Sequence, residues 1–156
     1  MSLLTPRPRG FTLVEVLVAL VVLAVGLLGI AVLIVGGLRG SRLALERTQA
    51  ANLTSDMLER IRANAAAGNA YDTVDGTPDP RLEPACERGD GRCEPAVMAA
   101  HDLARWLDAV ARSLPGGTGT VDVVPLTAAL HRYAITVGWS EPGDRGRADC
   151  TLVADL

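Results

Sequence analysis

A single carboxylate at the head of a long apolar run is the residue of this chain best placed to do chemistry. From Phe11 to Leu38 the only ionisable side chain is Glu15. On insertion scales a lone acid in a membrane-length helix costs roughly 2.5–3.5 kcal/mol, so it needs a partner or a purpose. Thiols are the second chemical resource: Cys86, Cys93 and Cys150. Cys86 and Cys93 lie in a polar, turn-rich stretch with six residues between them. That gap does not match the short C-x₂₋₄-C hook of a zinc site, and no second pair completes a ligand set. In an oxidising compartment the spacing reads as a local disulfide, worth about 2.5 kcal/mol by loop-closure entropy. Cys150 reads as a free, buried thiol in a strand.

The remaining candidates carry little. His101-Asp102 falls on a helix and His131 beside a strand, and both histidines read as solvated surface. Ser113 precedes Leu-Pro-Gly-Gly, which is not a nucleophile elbow. Gly116-Gly117-Thr118-Gly119 lacks the spacing and the Lys-Ser/Thr end of a phosphate loop, and reads as a helix stop. Arg88-Gly89-Asp90 reads as part of an ordinary Gly-Asp-Gly turn. No catalytic group, cofactor or metal is expected.

Glu15 is positioned by the apolar run itself. An α-helix rises about 1.5 Å per residue, so residues 11–38 suffice to cross a hydrocarbon core of about 30 Å with tilt. A secretory signal would have an apolar region of only about 7–15 residues and a small-x-small cut site. This run is longer and leads into Arg39-Gly40-Ser41-Arg42. A generic signal anchor, with Glu15 an accident, is the other plain reading. Charge does not set the orientation, because Arg7 and Arg9 precede the run while Arg39, Arg42 and Arg47 follow it.

Gly10-Phe11-Thr12-Leu13-Val14-Glu15 ahead of such a run resembles the processing site of type IV pilins and pseudopilins. The resemblance implies that a dedicated peptidase cuts after Gly10 and that Phe11 becomes a methylated N-terminus. It also implies that Glu15 pairs with the terminus of a neighbouring subunit during assembly. The stretch Ser55-Asp56-Met57-Leu58-Glu59-Arg60-Ile61-Arg62-Ala63-Asn64 resembles the segment after the membrane helix in minor pilins of the type IV pilus modification (PilV) type. So do the paired cysteines, Met98 to Asp102, Trp106, Leu114-Pro115-Gly116-Gly117 and Tyr133 to Val137.

Hydrophobic periodicity supplies the elements. After the apolar run, Leu43, Ala50, Leu53, Met57 and Ile61 keep helical spacing, with Arg42, Glu46, Gln49, Asp56 and Arg60 on other faces. The spacing predicts one helix to Gly68-Asn69, or a bend at Gly36-Gly37 or Gly40 with a separate core helix beyond it. Residues 69–95 read as a loop. A second helix is expected from Pro95 to Leu114, with Leu103, Trp106, Leu107, Val110 and Leu114 as its stripe, stopped by Pro115-Gly116-Gly117. Strands are expected at Thr120–Val124, Leu130–Trp139 and Arg147–Val153, with a turn at Glu141-Pro142-Gly143-Asp144. The expected class is α+β: a long N-terminal membrane and amphipathic helix packed on a small antiparallel sheet, with a second helix in the head. The expected divisions are a leader at 1–10, a membrane half-helix at 11–38, an amphipathic half-helix at 39–67 and a globular head at 68–156.

Composition narrows the function. The chain has 156 residues, a formal net charge of −3 and an aromatic content of 3%. All its basic residues are arginine. An acidic balance argues against direct nucleic-acid binding, and few aromatics argue against stacking platforms. The resemblance therefore implies a non-enzymatic minor pilin of the bacterial inner membrane, single-pass with its head in the periplasm. Its implied partners are other minor and major pilins, the inner-membrane assembly platform, the prepilin peptidase and membrane lipid. A minor pseudopilin of type II secretion has the same front end. A membrane-tethered periplasmic enzyme is the alternative of another class, and a DNA-uptake role a third option.

Overall fold

The computed structural model describes residues 10–74, 79–88, 93–127, 130–141 and 146–156. Gly89 and Asp90 of the Arg88-Gly89-Asp90 tripeptide and Pro142-Gly143-Asp144 of the expected turn lie outside them, as does the expected leader up to Arg9. The elements in chain order are α1 (Leu13–Ala63), a 3₁₀ turn (Ala65–Tyr71), α2 (Pro84–Glu87), α3 (Pro95–Ser113), β1 (Thr118–Pro125), β2 (His131–Ser140) and β3 (Arg147–Asp155). The architecture is α+β and pilin-like, as expected. The chain divides into two compact units, Met1–Arg42 and Leu43–Leu156.

From Leu13 the first unit is helix. No proline interrupts the helix, and Gly36, Gly37 and Gly40 are all helical, so the alternative of a break there does not hold. Its large apolar side chains are exposed throughout, from Leu13 at 83% to Leu38 at 67%. The window of highest mean hydropathy, 3.2, has none of its residues buried within the chain. Among the described residues this is the one helix long and apolar enough to cross a membrane.

The second unit holds the core. The α1 residues Ala50, Thr54, Met57, Leu58 and Ile61 are buried, and the apolar ones pack in one cluster with Leu103, Trp106 and Val110 of α3 and with the sheet. Glu46, read from the sequence as solvent-facing, is 5% exposed. It lies one turn before Ala50 on the buried stripe, and position overrides polarity there. Leu43 and Leu53, expected in the stripe, are only half-buried. Helix α1 ends at Ala63 rather than near Gly68. The 3₁₀ turn follows, and within it Gly68 has φ +52°, a left-handed conformation that glycine adopts without a Cβ penalty.

The sheet is antiparallel in the order β1-β2-β3. Val121 of β1 and Tyr133, Ile135, Val137 and Trp139 of β2 face the core. That is the strict period-two alternation of a half-buried strand. Helix α3 presses close: a Cβ at Gly119 would sit 2.5 Å from the Trp106 ring, and one at Gly117 would sit 2.4 Å from the Val110 carbonyl oxygen. The Gly-Gly-Thr-Gly run is thus a helix stop that also admits α3 against the strand.

Polar groups inside the head are matched across elements. The Trp106 Nε1–H donates to the Leu53 carbonyl at 2.9 Å. Asp102 accepts from Tyr71 Oη at 2.8 Å and from Arg60 at 3.1 Å. Asn64 donates to Tyr71 Oη and to the Pro95 carbonyl. Burial, before the Asp102 carboxylate, pushes the Tyr71 hydroxyl well above its ordinary pKa. His101 accepts the Glu83 backbone N–H through Nδ1 at 3.0 Å. His101 and Asp102 are therefore not solvated surface, as their polarity suggested. They are 6% and 8% exposed and hold the loop, the 3₁₀ turn and α1 against α3.

The disulfide forms as expected between Cys86 in α2 and Cys93 just ahead of α3, with Cα atoms 5.1 Å apart. Cys150 is a free thiol, half-buried on β3 rather than fully buried.

Candidate functional site

The candidate site is the start of α1. Thr12 precedes the first helical residue, and its side-chain oxygen accepts the Glu15 backbone N–H at 3.3 Å. The Thr12 carbonyl accepts from Glu15 and Val16 at 3.1 and 3.3 Å. Thr12 is therefore the N-cap, satisfying a donor that the helix end leaves orphaned. Reading the residues for chemistry passed over this role. Its signal is present, because Thr-x-x-Glu before an apolar run is the pattern of a capping box.

Glu15 lies in the first turn. There its negative charge faces the positive end of the helix macrodipole, a favourable placement. Phe11, Glu15, Val16, Ala19, Leu20 and Leu23 line one shallow face of the helix. Phe11 is 82% exposed. Among the described residues a Cβ at Gly10 would meet nothing within 4 Å, so packing against them does not require a glycine there. The sequence-derived site residues Gly10, Phe11 and Glu15 thus lie just ahead of α1 and in its first turn, before the apolar surface that runs from Val16 to Leu38. Cys86 and Cys93 belong to the other unit, where they tie a loop to the start of α3.

No metal cluster of three or more His, Cys, Asp or Glu side chains occurs among the described residues. In the head, a surface cleft of about 280 Å³ is lined by Arg60, Ala63, Asn64, Cys93, Met98 and Asp102. Its charged groups are spent on each other: Arg60 pairs with both Asp56 and Asp102. What the start of α1 offers is an exposed apolar surface and one acid in the first turn of a helix capped by Thr12.

Comparison with known families gives two matches. Residues 6–36 match the prokaryotic N-terminal methylation motif. Residues 35–104 match the family Type IV pilin Tt1218. Comparison with curated proteins and with solved structures finds no match. The two matched segments meet within α1 and together reach from the motif ahead of the apolar helix into α3. A methylation motif running directly into a pilin segment, on a helix that fits a membrane anchor, makes this chain a type IV pilin-like protein.

Proposed function

We propose that the chain is a minor pilin, a non-enzymatic subunit that primes or tips a type IV pilus. It is made as an inner-membrane precursor with its head in the periplasm, and the prepilin peptidase cuts it between Gly10 and Phe11. The observation that carries this reading is the helix start: a glycine that packing among the described residues does not need, directly before Phe11 and an acid-headed apolar helix.

Electrostatics give Glu15 its role. Cleavage creates an α-ammonium at Phe11, one turn from Glu15 and at the positive end of the helix dipole. A cation is unfavourable there. A carboxylate of the same chain or of a neighbour offsets that charge, and in a low-dielectric surround the attraction offsets much of the burial cost. Other pilins and the assembly platform are the partners this role needs.

Two measurements test the reading. Intact mass of protein from native membranes should show a chain beginning at N-methylated Phe11; a chain still carrying residues before Gly10 would overturn it. Glu15→Leu should insert into membranes at least as well as the parent, since the cost of burying a charge is gone. Its incorporation into pilus-associated material should fall. Normal cleavage together with normal incorporation would remove the role assigned to Glu15.

A further inference from the structure

The two edges of the sheet differ. Leu126 donates its backbone N–H to the Leu130 carbonyl at 2.8 Å, and alternation along the β1–β2 register from that pair turns the backbone groups of Val121 and Pro125 away from β2. That edge is closed. The Thr73 N–H reaches the Val121 carbonyl at 2.8 Å, and the Thr73 hydroxyl accepts the Val121 N–H at 2.8 Å. Pro125, at the end of β1, has no N–H to offer. On the other side of the sheet, His131 and Leu156 exchange both backbone bonds, at 2.7 and 2.9 Å. Alternation along the β2–β3 register then gives Ala148, Cys150, Leu152 and Ala154 their bonds to β2. Arg147, Asp149, Thr151, Val153 and Asp155 turn their N–H and C=O groups outward, and all five are exposed. Among the described residues nothing pairs with these backbone groups. The core-facing row of β3 is also short of cover. Ala148, Cys150, Leu152 and Ala154 are only half-buried, whereas Tyr133, Ile135, Val137 and Trp139 of β2 are buried.

We propose that the open edge of β3 takes an extended segment of a different protein as a fourth strand, antiparallel to β3 as β2 is. Geometry rules out a second copy of this chain. Within the head the strands lie along α1. Glu141, just past β2, pairs with Arg47 at 3.4 Å, and Tyr133, near the start of β2, donates to the Gly68 carbonyl beyond the end of α1 at 3.3 Å. Antiparallel pairing of two β3 strands about a twofold axis therefore turns α1 of the second copy end for end, which two chains anchored from one side of a membrane cannot adopt. Parallel pairing of two β3 strands turns one sheet over, and the half-buried row of one copy then lies beside the charged row of the other. Pairing of β3 with β1 of the next copy keeps the two α1 helices parallel but meets Thr73 and Pro125. The chemistry of the edge specifies the occupant instead. Apolar side chains at alternate positions cover Ala148, Cys150, Leu152 and Ala154. On the outer face an acid stands opposite Arg147 and a base opposite Asp149, because opposite charges attract across a strand pair. Arg147 donates to Thr118 Oγ1 at 2.7 Å and keeps further N–H groups for the acid. Asp155 needs no new base, since Arg132 already gives it two bonds at 2.7 and 2.9 Å. Backbone bonds supply the affinity and these side chains the register. The proposal rests on the membrane anchor and not on the role given to Glu15.

The probe is a synthetic peptide as long as β3, Thr-Val-Thr-Val-Thr-Val-Lys-Val-Glu. In the antiparallel register its Lys falls opposite Asp149 and its Glu opposite Arg147. Binding to the full-length protein in detergent is read by fluorescence anisotropy and by hydrogen exchange. The peptide should slow exchange of the Asp149, Thr151 and Val153 amides and leave that of Val121 unchanged, because Thr73 already holds it. Exchanging the Lys and Glu of the peptide should weaken binding roughly tenfold, since two attractive cross-strand pairs become repulsive. Arg147→Glu combined with Asp149→Lys should reverse that preference, which a merely misfolded variant would not do. Val153→Pro removes an outward N–H that β2 does not use, a placement edge strands tolerate, and should abolish binding while the Cys86–Cys93 disulfide stays intact. In the native membrane a photo-crosslinker at Thr151 should join this chain to a different protein, and the doubly charge-reversed variant should lose that product. A photo-crosslinker at Asp122, equally exposed on the outer face of β1, should not form it. The proposal is overturned if neither peptide slows exchange along β3, or if both bind equally. It is also overturned if the product at Thr151 is a second copy of this chain or survives the charge reversal.

Discussion

Tyr71 shows how one side chain joins three segments. Its ring is fully buried, and its hydroxyl sits among Asp102, Asn64 and the Arg60 carbonyl. Removing a buried hydroxyl that leaves a carboxylate short of a donor costs about 1–2 kcal/mol, so Tyr71→Phe should lower the urea midpoint of the detergent-solubilised protein. Asp102→Ala should cost more, about 2–3 kcal/mol, because it leaves both Tyr71 Oη and Arg60 short of an acceptor. The pH dependence has a definite sign. Burial raises the folded-state pKa of Tyr71, and that of Tyr133, above the ordinary value of 10.0. The folded state therefore holds these protons more tightly than the unfolded chain. Their contribution is complete below pH 10 and is lost as pH rises beyond it. Unfolding midpoints measured across the alkaline range should fall for the parent and fall less steeply for Tyr71→Phe. Equal slopes would show that the Tyr71 proton is not held by the fold.

Between elements, the tightest fit is α3 on the start of β1. Gly119 is there because the Trp106 ring occupies the space a Cβ would need. Gly119→Ala should destabilise by about 1–3 kcal/mol through overpacking and should alter tryptophan emission. Thr120→Ala, on the exposed face of the same strand, should be near neutral. The disulfide is a second link at this scale. It joins α2 to the residue pair leading into α3 and closes a short loop. Replacing both Cys86 and Cys93 by serine should lower stability by about 2.5 kcal/mol. Peptide mapping without reductant should find those two cysteines linked and Cys150 free. A link from Cys150 to either would contradict the strand placement.

At the scale of the whole molecule the two units present surfaces suited to different solvents. Residues 13–38 expose apolar side chains continuously, which water penalises and a bilayer does not. The second unit has its own core, and α1 contributes Ala50, Met57, Leu58 and Ile61 to it. A truncated chain beginning at Leu43 should therefore fold without detergent and unfold cooperatively. One beginning at residue 67 would lose those four side chains and the Leu53 carbonyl that receives Trp106. It should expose apolar surface and fail to give a cooperative transition. If the shorter chain folded equally well, the head would not depend on α1.

Periodicity in the sequence was enough to place α1, α3 and the three strands, but not the short helix α2, which lies in the stretch read as loop. The apolar run, the stripe from Leu103 to Leu114 and the alternation of Tyr133, Ile135, Val137 and Trp139 all have a period that allows one kind of element. The three strands and α3 accordingly lie within a few residues of where the spacing puts them. The helix start was legible too, because Gly10, Phe11 and Glu15 stand in a fixed local order that needs no tertiary contact. Partners were not legible. Glu46, His101 and Asp102 look like surface residues because polarity is local, while burial depends on which residues from distant segments arrive to meet them. Asp102 is matched by Arg60 and Tyr71, which lie 42 and 31 residues away. The end of α1 was misjudged for a related reason: the helical pattern runs on past Ala63, but Asn64 is drawn instead to Pro95 and Tyr71. The contact between Thr73 and the outer side of β1 is likewise tertiary. Thr73 meets the Val121 backbone only because the chain after the 3₁₀ turn passes beside it, and no local pattern in either segment encodes that meeting.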